Sequence, residues 1–86
     1  MINKKPVLDY LINIKKAGKD TYLIRGRESW VLNDVAEEVC MLATGKNTVG
    51  EMSKLISTKF NEKENVVQDD IKDLLLYFER ENIIKF

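Results

Sequence analysis

The stretch Ser29-Trp30-Val31-Leu32-Asn33-Asp34-Val35-Ala36-Glu37-Glu38-Val39 changes its apolar period in the middle, and that change decides the fold. Residues 29–32 form a short aromatic and aliphatic run that predicts a strand, with Trp30 and Leu32 on one face and Ser29 and Val31 on the other. From Asn33 onward the period becomes helical. Val35, Val39 and Leu42 recur at helical spacing, with Ala36, Cys40 and Ala43 beside them. Asn33 is the expected N-cap, because its side-chain oxygen can accept an amide proton from the first turn. Asp34, Glu37 and Glu38 suit the positive end of the helix dipole. Gly45 is expected to end this helix, spanning 33–45, in the left-handed conformation.

Upstream, Tyr10–Ile14 and Thr21–Arg25 predict two further strands, joined by the polar turn Lys15–Asp20 around Gly18. Gly26-Arg27 makes the tight connection to the strand at 29–32, so the three strands form an antiparallel meander. Downstream, Thr48 and Glu51 form a capping box opening a helix over 48–60, with Met52, Leu55, Ile56 and Phe60 as its apolar stripe. After the polar loop Asn61–Glu64, a third helix is predicted over 66–81. Asn65 and Gln68 provide its capping box, and Val67, Ile71, Leu74, Leu75 and Phe78 its buried face. Asn82 tolerates the left-handed stop, and Ile83, Ile84 and Phe86 follow as an apolar tail. The expected fold class is α+β: one winged-helix-like domain over residues 1–86, a three-stranded antiparallel sheet followed by three helices.

Composition excludes several functions. The 86 residues contain no histidine and one cysteine. Histidine-based triads, disulfide frameworks and Cys/His zinc sites are therefore ruled out. No apolar run approaches the roughly 20 residues of a membrane span. Basic and acidic residues balance at 14 each, but unevenly along the chain. Residues 1–32 carry seven basic and three acidic side chains, a net of +4, and residues 33–86 carry seven and eleven, a net of −4. The predicted third helix holds Asp69, Asp70, Asp73, Glu79 and Glu81 against Lys72 and Arg80. A recognition helix lies beside phosphates, so this charge argues against nucleic acid as a partner, as does the lack of room for a wing after Glu81. The basic turn Lys15, Lys16, Lys19 reads as a solvated loop.

No chemistry stands out. Asp69, Asp70 and Asp73 lack the ligand number and loop of a calcium site and read as a solvated helix start. Cys40 falls on the apolar side of a helix with no base nearby and reads as a small buried hydrophobe. Ser29, Ser53 and Ser57 lack a nucleophile-elbow context, and the four glycines are scattered singly. No enzyme, metal or cofactor is expected. Two apolar residues of the third helix remain over: Leu76, well off the buried stripe, and Tyr77, at its margin. They are either scattered surface residues, which are common, or the wall of a groove beside the third strand. A free strand edge next to an apolar groove can take up a peptide as an extra strand.

One ordered set of residues spans most of the chain: Ser29–Val39, Leu42, Gly45, Thr48-Val49-Gly50-Glu51-Met52, Phe60, Asp69-Asp70-Ile71, Leu74–Phe78 and Glu81-Asn82-Ile83-Ile84. This set resembles the PqqD family, most strongly over residues 29–84. Asn82 stands where that family usually has glycine. The resemblance implies a cytoplasmic, non-catalytic recognition element. Such an element binds the leader of a ribosomally made precursor peptide and delivers it to a leader peptidase or other modifying enzyme. The leader would add antiparallel to the third strand and pack against the third helix. By position that implies Ser29, Trp30, Val31 and Leu32 on the strand, and Asp69, Asp73, Leu76, Tyr77 and Arg80 on the helix. A lasso peptide pathway is the favoured setting, and a radical SAM partner, as in PQQ or sactipeptide pathways, is the alternative. The rivals are a winged-helix DNA-binding regulator and a structural subunit docking through Leu76, Tyr77 and the tail.

Overall fold

The computed structural model describes residues 1–86. Its main sheet is the expected meander, with strands β2 (Asn13–Ala17), β3 (Asp20–Arg25) and β4 (Glu28–Leu32) in spatial order β2-β3-β4, all antiparallel. Two-residue turns join them, opening with Gly18 (φ 65°) and Gly26 (φ 57°). Positive φ at the first central position matches the twist of a hairpin and favours glycine there. Because the first turn holds only Gly18 and Lys19, Ala17 pairs with Asp20 and the register draws the strand to 13–17. The expected strand at 10–14 is corrected accordingly. Tyr10 and Leu11 lie in an exposed turn, where the Ile12 amide donates to the Asp9 carbonyl at 3.0 Å.

The helices follow as α1 (Asp34–Leu42), α2 (Val49–Phe60) and α3 (Glu64–Arg80). Asn33 caps α1 by accepting from the Ala36 amide at 2.8 Å. Gly45 is left-handed (φ 83°) but sits in the loop beyond, since α1 already stops at Ala43. The Thr48–Glu51 capping box forms as expected. On α2 the buried face is Val49, Met52, Ser53, Ile56 and Ser57, whereas Leu55 points outward. The two buried hydroxyls donate back to the helix, Ser53 to the Val49 carbonyl and Ser57 to that of Lys54. The second expected capping box does not form. Glu64 extends α3 by two residues, Lys63 takes the N-cap position without a side-chain bond, and Asn65 and Gln68 lie inside the helix. Asn82 takes the left-handed conformation, φ 58°.

One small sheet lies outside the expectation. The N-terminal strand β1 (Val7–Leu8) pairs antiparallel with β5 (Ile84–Lys85). The N-terminal arm also receives two first-turn amides of α2, Val49 donating to the Lys4 carbonyl and Gly50 to that of Ile2. The apolar tail is thus a strand whose Ile83 and Ile84 are buried.

All elements close over one core of 16 buried residues, with Leu23, Val39, Val49, Met52, Ile71 and Leu75 wholly covered. At roughly 25 cal/mol per Å² of apolar surface, this burial is the main driving force for folding. Cys40 belongs to this core, and burial pushes its thiol up to about 12. Glu37 ties helix to sheet by accepting the Thr21 hydroxyl's hydrogen bond, with Lys16 Nζ 3.5 Å away. That hydrogen bond, reinforced by Lys16, holds the Glu37 carboxyl below its ordinary range.

Candidate functional site

The register of β4 sets which of its backbone groups are free. Arg25 and Glu28 flank the two-residue turn and pair across it; Leu23 with Trp30 and Thr21 with Leu32 follow at every second position. In an antiparallel ladder, alternate residues turn their N–H and C=O groups to the partner strand and the others turn them away. Glu28, Trp30 and Leu32 therefore bond to β3. Ser29 and Val31 direct two N–H donors and two C=O acceptors to the open edge. Their side chains lie on the outer face of the sheet, where Ser29 is exposed and Val31 is 65% exposed. Trp30 and Leu32 take the inner face, Leu32 buried and Trp30 half-buried against the core.

Beside this edge runs α3. Arg25 fixes one end of the arrangement. Its guanidinium donates to the carbonyls of Glu81 (3.0 Å) and Asn82 (2.8 Å), pairs with Glu28 at 3.0 Å, and lies 5.4 Å from the Trp30 ring centroid. It thus satisfies the carbonyls of the C-cap Glu81 and of Asn82 just beyond α3. At the other end, where β4 gives way to α1, an open cleft of about 400 Å³ lies between Asn33 and Val35 on one side and Asp70, Asp73 and Leu74 on the other. A second cavity of about 210 Å³ shares Val35 and Asp70 and continues toward Ile56, Phe60, Glu62 and Val66. β4 therefore runs antiparallel to α3, from Glu28 near Glu81 to Asn33 near Asp73.

The helix face turned to this groove follows from spacing. Val66, Asp70, Asp73, Tyr77 and Arg80 succeed one another by three or four residues and form one stripe. Arg80 lies over the Tyr77 ring, 5.9 Å from its centroid. Among the helix residues singled out from sequence, Asp73 lines the cleft, and Tyr77 and Arg80 continue its face. Asp69 and Leu76 are exposed and flank that stripe, each four residues before a member of it, Asp73 and Arg80. The carboxylates are not at a helix start, because α3 begins at Glu64. Asn33, Val35, Asp70 and Leu74 were missed. Asn33 was accounted for as a cap and Leu74 as core, and only the half-burial of Val35 and Leu74 distinguishes wall from interior. No group of three or more His, Cys, Asp or Glu side chains is placed to hold a metal ion.

This architecture has a counterpart among solved structures. The chain superposes with a TM-score of 0.81 on the solution NMR structure of the PqqD truncation of Methylobacterium extorquens PqqCD. The match covers 94% of this chain and 88% of that one, at 18% sequence identity. The chain has the PqqD fold. That protein represents a functional and stand-alone ribosomally synthesized and post-translational modified (RiPP) recognition element. No family model and no curated protein matches the sequence. At 18% identity the likeness to PqqD is carried by backbone topology, so the site has to be argued from the side chains of this chain.

Proposed function

We propose that this protein is a non-catalytic recognition element that binds the leader of a ribosomally made precursor peptide as an added antiparallel strand on β4. The observation that supports this most is an unpaired strand edge that leads at its C-terminal end into a cleft. The outward groups of Ser29 and Val31 can form up to four backbone hydrogen bonds that set register. The cleft between Asn33, Val35, Asp73 and Leu74 receives alternate side chains. The PqqD fold adds weight, since its solved representative is a RiPP recognition element. Binding in the micromolar to nanomolar range corresponds to about 8–12 kcal/mol. That net figure follows after the cost of ordering a flexible peptide. The proposed delivery partner is a leader peptidase of a lasso peptide pathway. A radical SAM enzyme is the competing partner, and co-purification with each enzyme in turn separates them. The DNA-binding alternative is disfavoured by the acidic α3 and by β5, which pairs back onto β1 where a wing hairpin would begin.

The test is a display selection of random twelve-residue peptides on the immobilised protein, followed by titration of the best binder against wild type and Val31→Pro. Proline removes the outward N–H of residue 31 and leaves the β3–β4 ladder intact. Loss of binding by a folded Val31→Pro protein is expected, and undiminished binding would overturn the reading.

A further inference from the structure

Two adjoining cavities lie beyond the C-terminal end of β4. The first is lined by Asn33 and Val35 opposite Asp70, Asp73 and Leu74, and the second shares Val35 and Asp70 and reaches Phe60 and Val66. Their charged lining is entirely acidic: Asp70 and Asp73 in the first cleft, Glu62 and Asp70 in the second, with no lysine or arginine lining either. None of these three carboxylates belongs to an ion pair; the salt bridges of the molecule join Lys16 to Glu37, Arg25 to Glu28 and Lys59 to Glu38. The helix dipole does not account for Asp70 and Asp73 either, since its effect fades within the first turn and α3 begins at Glu64. The result is a half-apolar channel with one sign of charge and no internal counter-charge.

Orientation follows from the strand. A peptide antiparallel to β4 has its C-terminal part beside Glu28 and the Arg25 latch, and its N-terminal part passing Asn33 into the acidic channel. We propose that the channel formed by Asn33, Val35, Glu62, Asp70 and Asp73 selects peptides carrying a lysine or arginine on the N-terminal side of the segment that pairs with β4. This rests on the strand-addition reading and assigns that site its specificity. The long side chain suits the channel chemically, because its methylenes can lie along Val35 and Leu74 while the charged head reaches the carboxylates.

The experiment compares selections of the random twelve-residue display library on wild type and on the Asp70→Asn/Asp73→Asn double variant. Fluorescence titrations of a wild-type-selected peptide and its Lys/Arg→Gln derivative follow. Both aspartates are exposed, so the double variant is expected to fold as wild type, which circular dichroism checks. An exposed carboxylate contributes up to about fivefold in affinity, and the pair is expected to give about tenfold. The wild-type selection should enrich Lys/Arg N-terminal to the pairing segment. The Gln derivative should bind wild type about tenfold more weakly, and the double variant less than about twofold more weakly, with the difference shrinking at high salt. Binding that Val31→Pro abolishes but that shows no basic enrichment, or enrichment that persists on the double variant, overturns the inference and leaves strand addition standing. Enrichment on the C-terminal side overturns the orientation. Binding that survives Val31→Pro removes the strand-addition reading and the inference with it.

Discussion

β2 and β4 are the two edges of one sheet, five residues each, paired to the same strand β3, and they are built differently. On β2 the outward backbone groups belong to Ile14 and Lys16, by the same alternation that frees Ser29 and Val31 on β4. A lysine stands on each face of β2. Lys15 is opposite Tyr22 on the outer face, and Lys16 is on the inner face, where it reaches Glu37. Charged side chains on an edge oppose the approach of another strand, because pairing would strip them of water. From Ser29 to Leu32 the β4 edge carries no charge, and a cleft lined by Asn33 and Val35 opens where the strand ends. The same backbone hazard is suppressed on one side of the sheet and left available on the other.

The sharpest way to break this contrast is Val31→Pro. Losing one edge donor and placing a ring in the path of an incoming strand should cost about 3 kcal/mol of peptide binding. That is about 100-fold in Kd, read by titration. Next comes Arg25→Ala, which releases the β3–β4 turn from the end of α3. Hydrogen bonds from a charged donor, here partly exposed, give an expected loss of about 2 kcal/mol in chemical denaturation. Lys15→Val with Lys16→Val removes the guard from β2 and should increase concentration-dependent self-association over wild type in sedimentation velocity. Acidification tests the anchor behind β2. Glu37 and Glu51 are held below their ordinary value of 4.5 in the fold, Glu37 chiefly by the Thr21 hydroxyl and Glu51 chiefly by the Thr48 amide. Their contribution to stability is therefore present above about pH 4.5 and is lost as pH falls through the lowered values. Tm should decline below that pH, and less steeply in Glu37→Gln. The smallest effect belongs to Ile14→Pro, the mirror of the first substitution. It too spares the ladder, and peptide affinity should stay within about twofold of wild type.

The sequence made the meander and three helices legible because their signals are local. Asn33 and Thr48 announce helix starts, and Trp30 with Leu32 alternates against Ser29 and Val31. What it could not show depends on partners distant along the chain. The first strand was misplaced because Tyr10 and Leu11 look like strand residues, whereas the two-residue turn at Gly18 fixes the register from the other side. β1 and β5 are only two residues each and are strands only because they meet. Leu55 follows the helical period of α2 yet faces outward, since the covered face is centred on Met52, Ser53 and Ile56. At the site, Asp73 and Asp70 both line the cleft, whereas the sequence alone reads Asp70 only as part of a solvated helix start. Its place in the groove follows from how α3 packs against α1.

The central claim is that the two edges differ in function, and amide hydrogen exchange with a selected twelve-residue peptide bound tests it most directly. Exchange at Ser29 and Val31 should slow on binding, while Ile14 and Lys16 on the opposite edge exchange at unchanged rates. Protection at Ile14 and Lys16, or a bound peptide that leaves Ser29 and Val31 unprotected, would contradict the account.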